Sequence, residues 1–319
     1  MYRLFFFVLF SFFMLSGITR AKTYALFDEN TLTKKVWGAS LNHIDKNKPF
    51  EEAKGNKSNS LENKIEKETD TEKASEHPAW LKNAVISENI PEDATMIAIV
   101  IDDLGLKKEM TREVLNLPAP ITAAFLPYAD DLIEQTETAK KKGHELLVHV
   151  PMEPINSRFN PEPNALSDKM PVSEIIEKLD IMLSSFDGYV GINNHMGSKF
   201  TSNNRVSSVV IQELKKRGLL FLDSLTSAES VAWKKARDQN VPYAVRNIFL
   251  DNSQNGKDIM KQLSLLEEYA LKHQMAVAIG HPHKSTINTL REWIPQAQKK
   301  GFVFVPVSLI ALIKQEAFQ

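Results

Sequence analysis

The stretch MIAIVIDD (96–103) reads as a buried strand that ends on two carboxylates. The same event recurs along the chain. ELLVH (145–149), VGINNH (190–195), LLFLD (219–223), NIFLD (247–251) and MAVAIGHPH (275–283) each run from apolar residues into Asp or His. One polar strand end is ordinary. Six of them suggest an architecture that gathers those ends at one place, as parallel α/β sheets and (β/α) barrels do.

Working outward from 96–103, strand-like runs follow at 121–126, 145–150, 189–193, 219–223, 244–250, 275–280 and 302–306. Helix-like stretches at 129–142, 172–186, 204–217, 257–273 and 286–300 separate them. The first and third of these are closed by Gly143 and Gly218, and Ser173 after Pro171 marks a helix start. Such alternation over the region from residue 94 to 319 predicts an α/β domain with a parallel sheet. Eight β/α units fit a barrel about as well as an open doubly wound sheet. No GxGxxG or GxxxxGK loop follows the first strand, so a nucleotide site has little support.

The chain before this domain has a different texture. MYR followed by LFFFVLFSFFML reads as a secretory signal peptide over 1–21, cut after Ala21, with no stable membrane span once removed. Residues 22–93 form a charged, Lys/Glu/Asn/Ser-rich linker that cannot bury enough apolar surface to order itself. Within it, PAWLKNAVI (78–86) is a short helix or lid that packs on the domain. These features place the domain outside the cytoplasm, in a periplasm.

Lys and Arg number 39 against 40 Asp and Glu, a net charge of −1 that argues against nucleic acid as a partner. There is no cysteine, so disulfides, thiolate ligands and thiol nucleophiles are excluded. A metal site must then use His, Asp or Glu, a donor set that suits zinc or another divalent first-row ion.

Asp102 and Asp103 end the first strand, where adjacent side chains point to opposite sides; one suits a metal ligand and the other a base. His149 ends the third strand, with Glu153 four residues beyond it, across Pro151. His144, at the entrance of that strand, is expected on the surface. GINNHMGSKFT (191–201) packs Asn193, Asn194, His195 and Ser198 into one strand end, with Gly191 and Gly197 permitting close backbone approach. Asp223 and Asp251 read as cap and turn residues. His281 and His283 flank Pro282, and either could serve as a general acid. Asp, His and His from strands one, three and four would supply three N/O ligands with an open fourth position, the hydrolytic metal pattern.

IAIVIDDLG (97–105), GHELLVHVPMEP (143–154), GINNHMGSKFT (191–201), FLDSLTS (221–227) and AIGHPHKST (278–286) together resemble the divergent polysaccharide deacetylase family over about residues 95–315. The resemblance implies a distorted (β/α) barrel of seven or eight parallel strands and a metal-dependent deacetylase acting on an acetylated glycan such as peptidoglycan. It implies Asp102 as base, Asp103, His149 and His195 as ligands of a divalent metal such as zinc, and His281 as general acid. Glu153 stands where the classical enzymes carry a second His and is a reserve ligand. NNHMGS stands where they carry Arg and Pro. Those two departures support a second reading, a barrel that has lost turnover and serves as a glycan-binding or envelope scaffold protein with a protein partner.

Overall fold

The computed structural model describes residues 77–87, 90–159, 162 and 164–316. The expected signal peptide and most of the expected linker lie outside the described residues. Among the described residues there are nine strands: β1 (Thr95–Leu104), β2 (Thr122–Phe125), β3 (Glu145–Met152), β4 (Gly191–Met196), β5 (Leu220–Asp223), β6 (Tyr243–Val245), β7 (Ile248–Phe249), β8 (Met275–Gly280) and β9 (Phe302–Phe304). Eight of them form one hydrogen-bonded path, β6-β5-β4-β3-β2-β1-β8-β7, while β9 pairs with the amino half of β1. Every pairing is parallel.

The sheet curls into a barrel that stays open between its end strands. The run 244–250, which reads as one strand, is broken at Arg246–Asn247. Those two residues leave the ladder of one edge and start that of the other: Arg246 N–H donates to Asp223 O and Asn247 N–H to Val277 O. The break turns one expected strand into β6 and β7.

Two apolar layers follow from the period-2 alternation of the strands. Ala98, Val100, Leu147, Leu222, Val277 and Ile279 face the barrel interior. Ile97, Ile99, Ile101, Val148, Phe221 and Ala278 face the outer helices. Burial on both sides explains why these strands read as continuous apolar runs. The outer helices are α2 (Lys108–Val114), α3 (Leu132–Lys141), α4 (Val172–Leu183), α5 (Asn204–Arg217), α6 (Ala232–Asp238), α7 (Gly256–His273) and α8 (Lys284–Lys299). Gly218 ends α5 in the left-handed conformation, and α4 begins at Val172, the first residue of the expected stretch 172–186, with Pro171 in the cap position.

Two short elements close the amino-terminal mouth. Helix α1 (Ala79–Lys82) buries Trp80 against the interior cluster, as the stretch 78–86 was expected to do. Helix α9 (Val307–Glu316) buries Val307, Leu309, Ile310 and Ala311 in the same cluster. Thr122 Oγ1 and Glu145 Oε1 accept the N–H groups of Val307 and Ser308, two donors that the first turn of a helix leaves free. With the lower mouth sealed, the interior opens at the carboxyl ends of the strands. Among the described residues, no helix is long and apolar enough to cross a membrane.

Candidate metal centre and its base and acid

Strand register sets the site. His149 pairs with Asn193, Pro151 with His195 and Ile101 with Gly280, so Asp102, His149, Asn193, His195 and His281 crowd the upper end of the barrel. Asp103 reaches the same space by a different device. Its φ is +57°, in the left-handed region that non-glycine residues seldom adopt. The pairing of β1 with β2 shifts register between Ile101 and Leu104. This kink cancels the strand alternation, so both carboxylates of the pair serve one site rather than opposite faces. The NNHMGS segment is bent in the same way, with Met196 at φ +54° and Gly197 at +80°. A side chain at Gly197 would meet Met152 Cβ at 2.9 Å, and one at Gly191 would meet the Leu220 carbonyl at 2.1 Å. The two glycines expected to permit close approach do so.

Asp103 Oδ1 lies 2.9 Å from His195 Nδ1 and 3.2 Å from His149 Nε2, and the two ring nitrogens are 3.2 Å apart. A tetrahedral ion with bonds of about 2.0 Å separates its ligands by about 3.3 Å. The triangle therefore fits one face of such a coordination shell. The hydrogen-bond pattern supports the same reading. Asn193 Nδ2 donates to Asp102 Oδ1 at 2.7 Å, which leaves Asn193 Oδ1 to accept Nδ1–H of His149 at 2.8 Å. His149 Nε2 then turns a lone pair toward the triangle. Asp103 Oδ1 is buried and makes no hydrogen bond of acceptable geometry among the described residues. Acceptor atoms facing one another in a buried space suit a cation. Burial alone would raise the Asp103 carboxyl, but the adjoining His149 and His195 hold it well below the usual carboxylate range.

Asp102 stands beside the triangle. Its Oδ2 is 3.7 Å from His149 Nε2, and burial raises its pKa above the usual value despite the neighbouring histidines. That is the direction a proton acceptor needs. His281 lies across the site, its Nε2 3.9 Å from Asp103 Oδ2. Its Nδ1–H donates to Asp251 Oδ1 at 2.9 Å, and Asp251 Oδ2 accepts from His281 N–H at 2.6 Å and Thr286 Oγ at 2.7 Å. Burial would lower the His281 pKa, but the bond to Asp251 and the charges of Asp102, Asp251 and Asp103 push it up to about 9.

The site sorts the sequence candidates. Asp102, Asp103, His149, His195 and His281 are brought together. Glu153 is not: its Oε1 accepts from Lys199 Nζ at 2.7 Å, and its Oε2 from Ser167 Oγ at 2.5 Å and Asp168 N–H at 3.0 Å. It anchors the loop after β3 and is removed from the reserve ligands. His283 precedes α8 and meets Gln254. His144 is buried, not exposed, because its Nδ1 accepts Ile121 N–H while Nε2 bonds Leu115 O. Asp251 is more than a turn residue, since it orients His281. Asp223 braces the loop into α6, accepting from Leu225 N–H, Ser230 Oγ and Trp233 N–H. Asn193, which the dense NNHMGS stretch had brought to notice without a role, links the base to a ligand.

Residues 99–311 match the family described as "Divergent polysaccharide deacetylase". The uncharacterized protein YibQ of Escherichia coli (strain K12) is 37% identical over 211 residues, 66% of each chain. An uncharacterized protein of Haemophilus influenzae is 34% identical over 195 residues, 61% of this chain and 69% of that one. The chain thus spans about two thirds of the length of these relatives. The crystal structure of the uncharacterized protein ATU2773 from Agrobacterium tumefaciens C58 superposes with a TM-score of 0.71 at 26% identity, covering 73% of this chain and 95% of that one.

Proposed function

The chain belongs to the divergent polysaccharide deacetylase family, and on that premise we propose that it is an exported, metal-dependent hydrolase that removes acetyl groups from a cell-envelope glycan. The observation that carries this reading is the Asp103–His149–His195 triangle with a base on one side and an acid on the other. Export rests on the signal-peptide reading of residues 1–21, and zinc on the N/O donor set.

A divalent ion held by Asp103, His149 and His195 would polarise the acyl carbonyl and lower the pKa of water from ~15.7 towards ~7. Asp102, its pKa raised by burial, takes the proton from the attacking water. Asn193 holds that carboxylate in place. The carboxylates around His281 favour its protonated form, which delivers the Nε2 proton to the departing amine or alcohol, while Asp251 fixes the ring. A barrel that only bound glycan would not require a base and an acid in matched protonation states, which favours turnover over the scaffold reading.

The test is acetate release from acetylated chito-oligosaccharides and peptidoglycan fragments. Release that depends on added metal and disappears in Asp102→Asn supports the proposal. Release unchanged after metal stripping, or no release by protein that holds one metal ion, would overturn it.

A further inference from the structure

A cavity of about 570 Å³ opens at the seam where β6 and β7 fail to pair. Its volume falls in the range of small-molecule sites. Among the described residues, Arg246 is the one charged group on its wall, beside Thr226, Phe249, Asn252 and Gln262. The guanidinium is fixed rather than free to sample solvent. Nε donates to Ser224 O at 2.6 Å and Nη2 to Leu225 O at 2.7 Å, and the group lies 5.3 Å from the Phe249 ring centre.

These partners are carbonyls and a ring, so none cancels the charge. Arg246 forms no ion pair among the described residues, and Nη1 makes no hydrogen bond there. Asp223 and Asp102 act on the guanidinium through space without pairing with it, since their hydrogen bonds go to Ser230 and two backbone N–H groups and to Asn193. The cavity also adjoins the reaction centre on two sides. Phe249 packs edge-on against His281 at 5.3 Å, and Ser224 Oγ accepts from Asn193 Nδ2 at 3.2 Å.

We infer that this cavity is a subsite for a carboxylate-bearing sugar next to the sugar whose acetyl group is cleaved, with Arg246 as the carboxylate's partner. The inference rests on the deacetylase reading. A planar guanidinium held by backbone carbonyls is already ordered for a carboxylate, and the binding partner costs it little further entropy. Asn252 and Gln262 offer amide groups to the sugar hydroxyls. The chemistry is shared by two sugar classes, those with a lactyl ether carboxylate and those with a uronate.

Calorimetric titration of the zinc-loaded full chain tests this with three probes of equal length. One is neutral N-acetylchito-oligosaccharide, one alternates N-acetylglucosamine with N-acetylmuramic acid, and one alternates it with glucuronic acid. At least one acidic probe should bind about tenfold or more tighter than the neutral one, and which one identifies the class. Arg246→Gln should bring the acidic-to-neutral ratio close to one. Gln262→Glu, which leaves the Arg246 contacts to the backbone in place, should also lower it. A wild-type ratio near one, or a ratio that survives both substitutions, would overturn the subsite and leave the deacetylase reading standing. Failure of all three glycans to bind would remove both.

Discussion

Asn193 joins two parts of the site that act at different stages, because one amide bonds both Asp102 and His149, with Oδ1 2.8 Å from His149 Nδ1. It fixes the imidazole tautomer that leaves Nε2 free for a metal, and it aims the base. Partners of this kind commonly change metal affinity by about 10–100-fold when removed. Asn193→Ala should weaken zinc binding by about that factor and lower kcat as well. Competition titration against a chelating dye, with acetate release measured at saturating metal, separates the two losses.

Asp102 and Asp103 are neighbours with different duties. Asp102→Asn should retain one metal ion per chain and lose turnover by about 10²–10⁴-fold, the usual contribution of a positioned acid or base. Metal analysis of the same sample used for the assay checks both halves. Metal loss in Asp102→Asn would assign that residue to the ligand set.

The pH profile follows from His281. Its acid form is required; burial opposes that form, while the bond to Asp251 and the charges of Asp102, Asp251 and Asp103 push its pKa up to about 9 in the metal-free chain. A dication held by Asp103 would oppose that rise, so activity should fall on the alkaline side at a pH below about 9. Removing the negative charge by Asp251→Asn lowers that pKa toward ~6.5, the unperturbed value. The alkaline limb of kcat/KM should move to lower pH, with less effect on metal stoichiometry.

Glu153 faces Lys199, Ser167 and Asp168 rather than the metal triangle. Glu153→Ala should keep one bound metal and loosen the loop after β3, visible as faster proteolytic cleavage between residues 153 and 170. Loss of metal in this variant would restore Glu153 to the ligands.

Stability should carry a separate signature at the opposite mouth of the barrel. Burial holds the Glu145 carboxyl up at about 7, above its ordinary 4.5, although Ser308 and Thr122 donate to it. A raised carboxyl pKa in the folded state means stability that is complete below about 4.5 and is lost as pH rises through about 7. The loss amounts to about 3 kcal/mol. Glu145→Gln keeps an acceptor for Ser308 and escapes ionisation. Its melting temperature should exceed that of the native chain at pH 8 and match it more closely at pH 5.

Most strands could be read in advance because burial on both faces leaves an unbroken apolar run, as in IAIVI (97–101) and AVAI (276–279). The break at Arg246–Asn247 could not, since both residues sit in a plausible strand and only the seam between β6 and β7 shows them changing partners. VSLIALIK (307–314) gave no amphipathic period because its helix is largely buried. In the site, Asp and His at strand ends were visible one by one. The kink at Asp103 was not, because strand alternation sends adjacent carboxylates apart unless the backbone turns left-handed. Glu153 and Asp251 changed roles for a similar reason. Their partners, Lys199 and His281, lie 46 and 30 residues away and meet them only in the folded chain.

The claim that Asp103, His149 and His195 form one metal centre is tested most directly by counting ions. Purified chain equilibrated with zinc and desalted should retain one ion per molecule, and Asp103→Ala and His195→Ala, folded by circular dichroism, should retain almost none. Equal zinc content in the native chain and both variants would contradict the account.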